Sequence, residues 1–158
     1  MRKGLAVAML CITALVPADA SAAAAPAQAR PRVGTVSIPR LNLVSPVYSG
    51  TSDAVYDLGV GHWPGTALPG QRGNVVLGGH RTVSPRPFLD IQNVLVGDSI
   101  ILRRGGRTHE YVVTRTLVVK PTAVWILNQS SARTLTIFTC HPKGSTRQRY
   151  VVMAKLRT

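Results

Sequence analysis

The stretch 134-TLTIFTCHPKGSTRQRYVV-152 decides how the rest of the chain is read. Thr134 to Thr139 is rich in β-branched and apolar residues and predicts a buried strand. It runs into Cys140, followed by His141, Pro142 and a polar loop from Lys143 to Gln148. Arg149 then opens a second expected strand, Tyr150 to Lys155. If the two strands pair, a thiol at the end of one and a guanidinium at the start of the next face each other across a loop. That is an arrangement for chemistry, and the remaining sequence is searched for what completes it.

At 158 residues the chain has room for one domain of ordinary size. Hydrophobic content of 45% against 16% charged residues supports a packed core and excludes general disorder. The formal net charge is +13, from nineteen Lys and Arg against six acids. Such a balance suits an anionic partner: nucleic acid, a wall polymer or a membrane surface. The basic residues are scattered, with no helical stripe, zinc-finger spacing or aromatic nucleic-acid motif, so nucleic acid is not expected.

Arg2 and Lys3 precede an apolar run from Leu5 to Val16, then Pro17 and the small-residue sequence Ala18-Asp19-Ala20-Ser21. This is the pattern of a secretory signal. The run falls short of the roughly 20 apolar residues of a membrane span, although the Ala-rich tail to Ala25 extends it. Residues 1–25 are therefore expected to be a signal peptide or an uncleaved signal anchor. Residues 26–33 are expected to be a linker, and 34–158 the folded domain. Cys11 sits inside the apolar run without the preceding small residue of a lipoprotein signal, and reads as a small hydrophobe. Removing that run leaves Cys140 alone, so no disulfide staples the exported domain. A lone exported thiol is either an incidental core residue or a reactive group.

Val33–Ile38 and Leu43–Tyr48 predict strands joined around Pro39-Arg40-Leu41-Asn42, and Asp53–Leu58 a helical turn. Gly59 to Gly73, dense in Gly and Pro, predicts an ordered loop. Asn74–Gly79 predicts a strand ending at His80, and Phe88–Val94 a short helix. Arg103-Arg104-Gly105-Gly106 is a hairpin signal between Ser99–Leu102 and Thr108–Val119. Thr122 to Arg133 is a loop with an apolar patch, Val124-Trp125-Ile126-Leu127. About eight short strands with minor helical turns predict a mainly-β, closed or nearly closed barrel.

A cysteine acts through its thiolate and needs a base or a positive neighbour. His109 sits mid-hairpin and reads as a surface residue. His141 adjoins Cys140, but successive side chains of an extended segment point to opposite faces, which makes it structural. His62 lies in a tight loop, where it either lines a pocket or holds the loop. His80 ends an apolar strand after Gly78-Gly79, at what would be a barrel rim, and is the best candidate partner. Arg149 cannot serve as a base but can donate fixed hydrogen bonds to an oxyanion. No ligands stand at zinc spacing, so neither a metal nor another cofactor is expected.

These residues resemble the sortases, cysteine transpeptidases of the bacterial cell surface. Thr136-Ile137-Phe138-Thr139-Cys140 is similar to the family's T-L-x-T-C strand, with Ile in place of Leu. Gly79-His80-Arg81 is similar to its histidine motif, and Arg149 to its strand-initial arginine. Gly61-His62-Trp63-Pro64-Gly65-Thr66, Gly73-Asn74-Val75-Val76 and Cys140-His141-Pro142-Lys143 look most like class E sortases. The resemblance covers about residues 34 to 157. It implies an eight-stranded sortase-type β-barrel with catalytic Cys140, His80 and Arg149. It implies cleavage of the Thr-Gly bond of an L-P-x-T-G or L-A-x-T-G sorting signal, through an acyl-thioester on Cys140. The implied partners are surface proteins bearing that signal and a cell-wall amine, a peptidoglycan precursor among them. The implied location is the outer membrane face or wall of a Gram-positive-type bacterium. Thr139, Arg81, His62, Trp125 and Ile126 are the candidate signal contacts; Trp125 and Ile126 fall in the segment that lines the family's binding groove. Two other readings stand beside it. An L,D-transpeptidase-like wall enzyme would need a Ser-His-Gly-Cys stretch, which Phe138-Thr139-Cys140-His141 lacks. A non-catalytic cationic wall-binding module would leave Cys140, His80 and Arg149 a coincidence.

Overall fold

A computed structural model describes residues 30–158. The expected export segment, and residues 26–29 of the expected linker, lie outside the described residues. Eight strands form one sheet: β1 Arg32–Ile38, β2 Leu43–Ser49, β3 Val60–His62, β4 Gly73–Gly78, β5 Ser99–Arg104, β6 Arg107–Val119, β7 Arg133–His141 and β8 Gln148–Leu156. Their order is β1-β2-β3-β4-β7-β8-β6-β5, and β5 pairs back onto β1 to close the barrel. Closure leaves the sheet without an unpaired edge. The mainly-β, closed eight-stranded barrel expected from the sequence is the fold observed.

Local chemistry accounts for the tight connections. The β1–β2 link is a 3-10 turn, Pro39–Leu41, ended by Asn42 in the left-handed region at φ 49°. Proline presets φ at the start of that turn, and Asn tolerates the left-handed exit. Gly105 and Gly106, at φ 55° and 74°, make the two-residue β5–β6 hairpin whose twist suits its strands.

Two expectations are corrected. The predicted loop from Gly59 to Gly73 contains β3, parallel to β2 and antiparallel to β4. Three residues show no periodicity, and it is the two flanking strands that make them a strand. Phe88–Val94 is not an α-helix but a succession of turns with a 3-10 turn at Ile91–Asn93. Phe88, Ile91 and Val94 are all buried in the core cluster, and a spacing of three fits the three-residue period of a 3-10 turn.

Alternation along each strand sorts the barrel's inside from its outside. Val75 and Leu77 of β4, Leu135 and Ile137 of β7, and Val152 and Ala154 of β8 belong to the core. The intervening Val76, Thr136 and Val151 face outward, yet are fully buried. The β6–β7 connection, with its 3-10 turn Val124–Leu127, is tied to this outer side of the sheet by the bond from Asn74 on β4 to the Ile126 carbonyl. The middle of β7, Leu135 to Ile137, is therefore buried on both faces, including the outward-facing Thr136.

Candidate active site

β4 and β7 run parallel, in register from Gly73↔Arg133 to Gly78↔Phe138. Both chains continue past the last pair, β4 to His80 and β7 to Cys140. β7 and β8 are antiparallel, with Cys140 directly opposite Arg149. Side chains directly opposite on an antiparallel pair share a face, which puts thiol and guanidinium on the same outer side. Cys140 is half-buried.

Two glycines let this corner close. A Cβ on Gly78 would stand 2.5 Å from the Tyr56 hydroxyl and 2.7 Å from the Phe138 ring. One on Gly79 would stand 2.9 Å from the Phe88 ring. The His80 imidazole meets the Tyr56 ring edge-on, with centroids 5.6 Å apart. Its Nε2 lies 3.1 Å from Asp57 Oδ1. With Nε2–H donating to that carboxylate, Nδ1 is the ring nitrogen left for other chemistry. Burial pushes the Tyr56 phenol up to about 12, with the negative charge of Cys140 adding to the effect.

His80, Cys140 and Arg149 all line one cleft of about 810 Å³. Arg149 Nη1 donates to the carbonyls of Thr146 and Gln148, at 2.9 and 3.0 Å. Its Nε and Nη2 have no partner among the described residues, so the guanidinium keeps donors to offer. The opposite wall is Ala123, Val124, Ile126 and Leu127. Two amides fix that wall to the barrel. Asn74 Nδ2 donates to the Ile126 carbonyl at 2.9 Å, and Asn74 Oδ1 accepts from Thr136 Oγ1 at 2.9 Å. Gln129 exchanges bonds with the Asn74 backbone, Oε1 accepting at 2.9 Å and Nε2 donating at 3.0 Å. Sequence reading missed Asn74, Gln129, Tyr56 and Asp57. Only Asn74, a polar residue in an apolar strand, carried a local signal.

The five candidate signal contacts are placed differently from one another. Ile126 lines the cleft. Trp125, next to it, is not on that cleft and lines a separate hollow of about 440 Å³ with Arg115, Met153 and Lys155, which Ile126 also borders. His62 is not on the cleft wall: it is 4% exposed, and its Nε2 is 2.9 Å from the Ala67 carbonyl and 3.2 Å from Thr66 Oγ1. It ties down the loop after β3, and burial lowers its pKa. Thr139 lines the cleft but is buried, with its hydroxyl donating to the Gly79 carbonyl at 2.7 Å. Arg81 is 4% exposed, and its Nη1 donates to the Cys140 carbonyl at 3.1 Å. It also meets His141 Nδ1 at 2.8 Å and Gln92 Oε1 at 2.6 Å. Arg81 also lines the cleft, and these bonds tie its guanidinium to the cleft's own backbone and side chains. Its buried Nε finds no partner, a cost of about 1–3 kcal/mol that the other bonds must offset.

Among the described residues no cluster of His, Cys, Asp and Glu stands close enough to hold a metal, and no helix is long and apolar enough to cross a membrane.

The family model of the sortase domain matches residues 36–157. Sortase D of Bacillus subtilis is 30% identical over 127 residues, covering 77% of this chain and 62% of that protein. Sortase SrtE1 of Streptomyces coelicolor is 31% identical over 135 residues, covering 75% of this chain and 38% of that protein. The chain thus spans less than two thirds of the length of either relative. Among solved structures, sortase A from Corynebacterium diphtheriae superposes with a TM-score of 0.78 at 30% identity, covering 82% of this chain and 62% of that one. Sortase C1 from Streptococcus suis gives 0.77 at 31% identity, covering 82% and 74%. Relatives named as different sortase classes match at nearly equal identity, and what they share is the barrel.

Proposed function

Because the chain belongs to the sortase family, we propose that it is a cysteine transpeptidase that sorts exported proteins to the cell surface. Cys140 Sγ attacks the Thr carbonyl of a Thr-Gly bond in an L-P-x-T-G or L-A-x-T-G signal. The C–N bond breaks and an acyl-thioester forms on Cys140. His80 supplies the proton that the departing glycine amine needs. It later takes one from the incoming amine of a cell-wall precursor, whose attack expels the thiolate. Arg149 steadies the oxyanion of each tetrahedral intermediate through its unpartnered donors. The observation that carries this reading is the pairing of Cys140 with Arg149 across β7 and β8, with His80 on the same cleft.

The apolar wall of Val124, Ile126 and Leu127 suits the leucine end of such a signal. The short class-E-like motifs favour L-A-x-T-G within the two. Residues 1–25 would deliver the domain to the outer face of the cytoplasmic membrane or the wall of a Gram-positive-type bacterium, by signal peptide or anchor. The test is cleavage of a panel of sorting-signal peptides by the wild type and by Cys140→Ala, His80→Ala and Arg149→Ala. Activity should vanish in the first and fall nearly as far in the other two. Full activity of Cys140→Ala would end the proposal.

A further inference from the structure

The β4–β7 ladder ends at Gly78↔Phe138, and His80 and Cys140 each stand beyond that last register pair. Side chains take over the cross-link there, once in each direction. Thr139, on β7, gives its hydroxyl to the carbonyl of Gly79, the residue before His80, at 2.7 Å. Arg81, the residue after His80, gives Nη1 to the carbonyl of Cys140 at 3.1 Å. The two bonds bracket the histidine on one strand end and the thiol on the other.

Arg81 is itself anchored on two further elements. Its Nη2 meets Gln92 at 2.6 Å, in the 3-10 turn whose Ile91 is part of the core. Its guanidinium lies 5.8 Å from the centroid of the Tyr150 ring on β8. The Nη1–His141 Nδ1 contact of 2.8 Å has one chemical reading. A guanidinium has no lone pair to give, so in this contact Nη1 donates and Nδ1 accepts. A flat fork with donors in two directions meets all these partners at once, which the single ammonium of lysine cannot do.

We propose that Arg81 is a positioning residue: in a reciprocal clasp with Thr139, it fixes the backbone of Cys140 against that of His80. The inference rests on the transpeptidase reading above and assigns Arg81 a role apart from signal binding. Reacting groups held about 1 Å out of place lose on the order of 100-fold in rate.

The test compares Arg81→Met, Arg81→Lys and Thr139→Val with the wild-type chain, by peptide cleavage per titrated active site and by amide hydrogen exchange. In Arg81→Met kcat should fall on the order of 100-fold with KM within about threefold. Arg81→Lys, which keeps the charge but not the planar fork, should lie between, and Thr139→Val should lose about tenfold. Exchange should speed up at residues 79–81 and 139–141 and stay unchanged in the rest of the barrel. A rise in KM at constant kcat would make Arg81 a substrate contact and overturn the proposal. So would unchanged kcat per active site in a variant that merely melts earlier. If Arg81→Met does not fold, Arg81→Lys and Thr139→Val decide the matter by the same criteria. A wild type that turns over no peptide would defeat the transpeptidase reading instead, and the exchange pattern would still decide whether the clasp exists.

Discussion

Replacing Asn74 by Leu removes the amide that couples the barrel to the outer wall of the cleft. The shape is nearly kept while two short side-chain bonds go, to the Ile126 carbonyl and from the Thr136 hydroxyl, each 2.9 Å long, along with a longer one of 3.4 Å from the Thr134 hydroxyl. Each short bond is worth about 1 kcal/mol net. Thr136 is 0% exposed, so its hydroxyl is then left buried, at a further cost of about 1–2 kcal/mol. The sum is about 3–4 kcal/mol, or roughly 10–15 °C in Tm for a domain of this size. Thr136→Val in the same chain removes the orphaned hydroxyl. The double variant should therefore recover about 1–2 kcal/mol relative to the sum of the two single changes. Urea unfolding of the four chains measures this coupling directly. Peptide kinetics should show KM rising about fivefold in Asn74→Leu, because the wall of Val124, Ile126 and Leu127 loses one of its two tethers, that of Gln129 to the backbone remaining, with kcat far less affected. A loss below about 1 kcal/mol, or strict additivity of the two substitutions, would refute the reasoning.

Gly78→Ala forces a methyl to within 2.5 Å of the Tyr56 hydroxyl and 2.7 Å of the Phe138 ring. It should cost about 1–3 kcal/mol by thermal unfolding and lower kcat, since Tyr56 is pushed toward His80; wild-type kinetics would contradict this. The Tyr56 phenol, held at about 12 by burial, gives a pH signature at the alkaline end. Between pH 10 and 12 the unfolded chain releases this proton while the folded one keeps it. Stability therefore falls as pH rises through that window, by up to about 3 kcal/mol. Tyr56→Phe should flatten the alkaline limb of a stability–pH curve, and parallel curves for the two chains would count against the assignment.

Local chemistry made much of the barrel legible before any coordinates. β7 and β8 follow from their β-branched runs, the β5–β6 hairpin from Gly105-Gly106, and the β1–β2 link from Pro39 and Asn42. β3 was hidden because its three residues owe their conformation to strands on either side. The outer wall was only half legible. Its apolar run stood out, but that Ile126 reaches the cleft and Trp125 does not depends on how the connection docks on the barrel, where Asn74 holds the Ile126 carbonyl from 52 positions away. His62, Thr139 and Arg81 sit within the recognisable motifs, and motif membership alone does not distinguish a residue that holds the site from one that touches a ligand. Their partners decide that. For Arg81 and Thr139 those partners lie mostly about 60 positions away in sequence.

The central claim is that Cys140 carries the acyl group between two amines. Intact-mass measurement of the chain mixed with an L-A-x-T-G peptide, before and after addition of an amine such as hydroxylamine or oligoglycine, tests it most directly. The account predicts an adduct of the peptide fragment ending at Thr, mapped to Cys140 and absent from Cys140→Ala, which the added amine discharges as the amide or hydroxamate. Peptide cleavage by Cys140→Ala, or release of the free acid alone in the presence of amine, would contradict it.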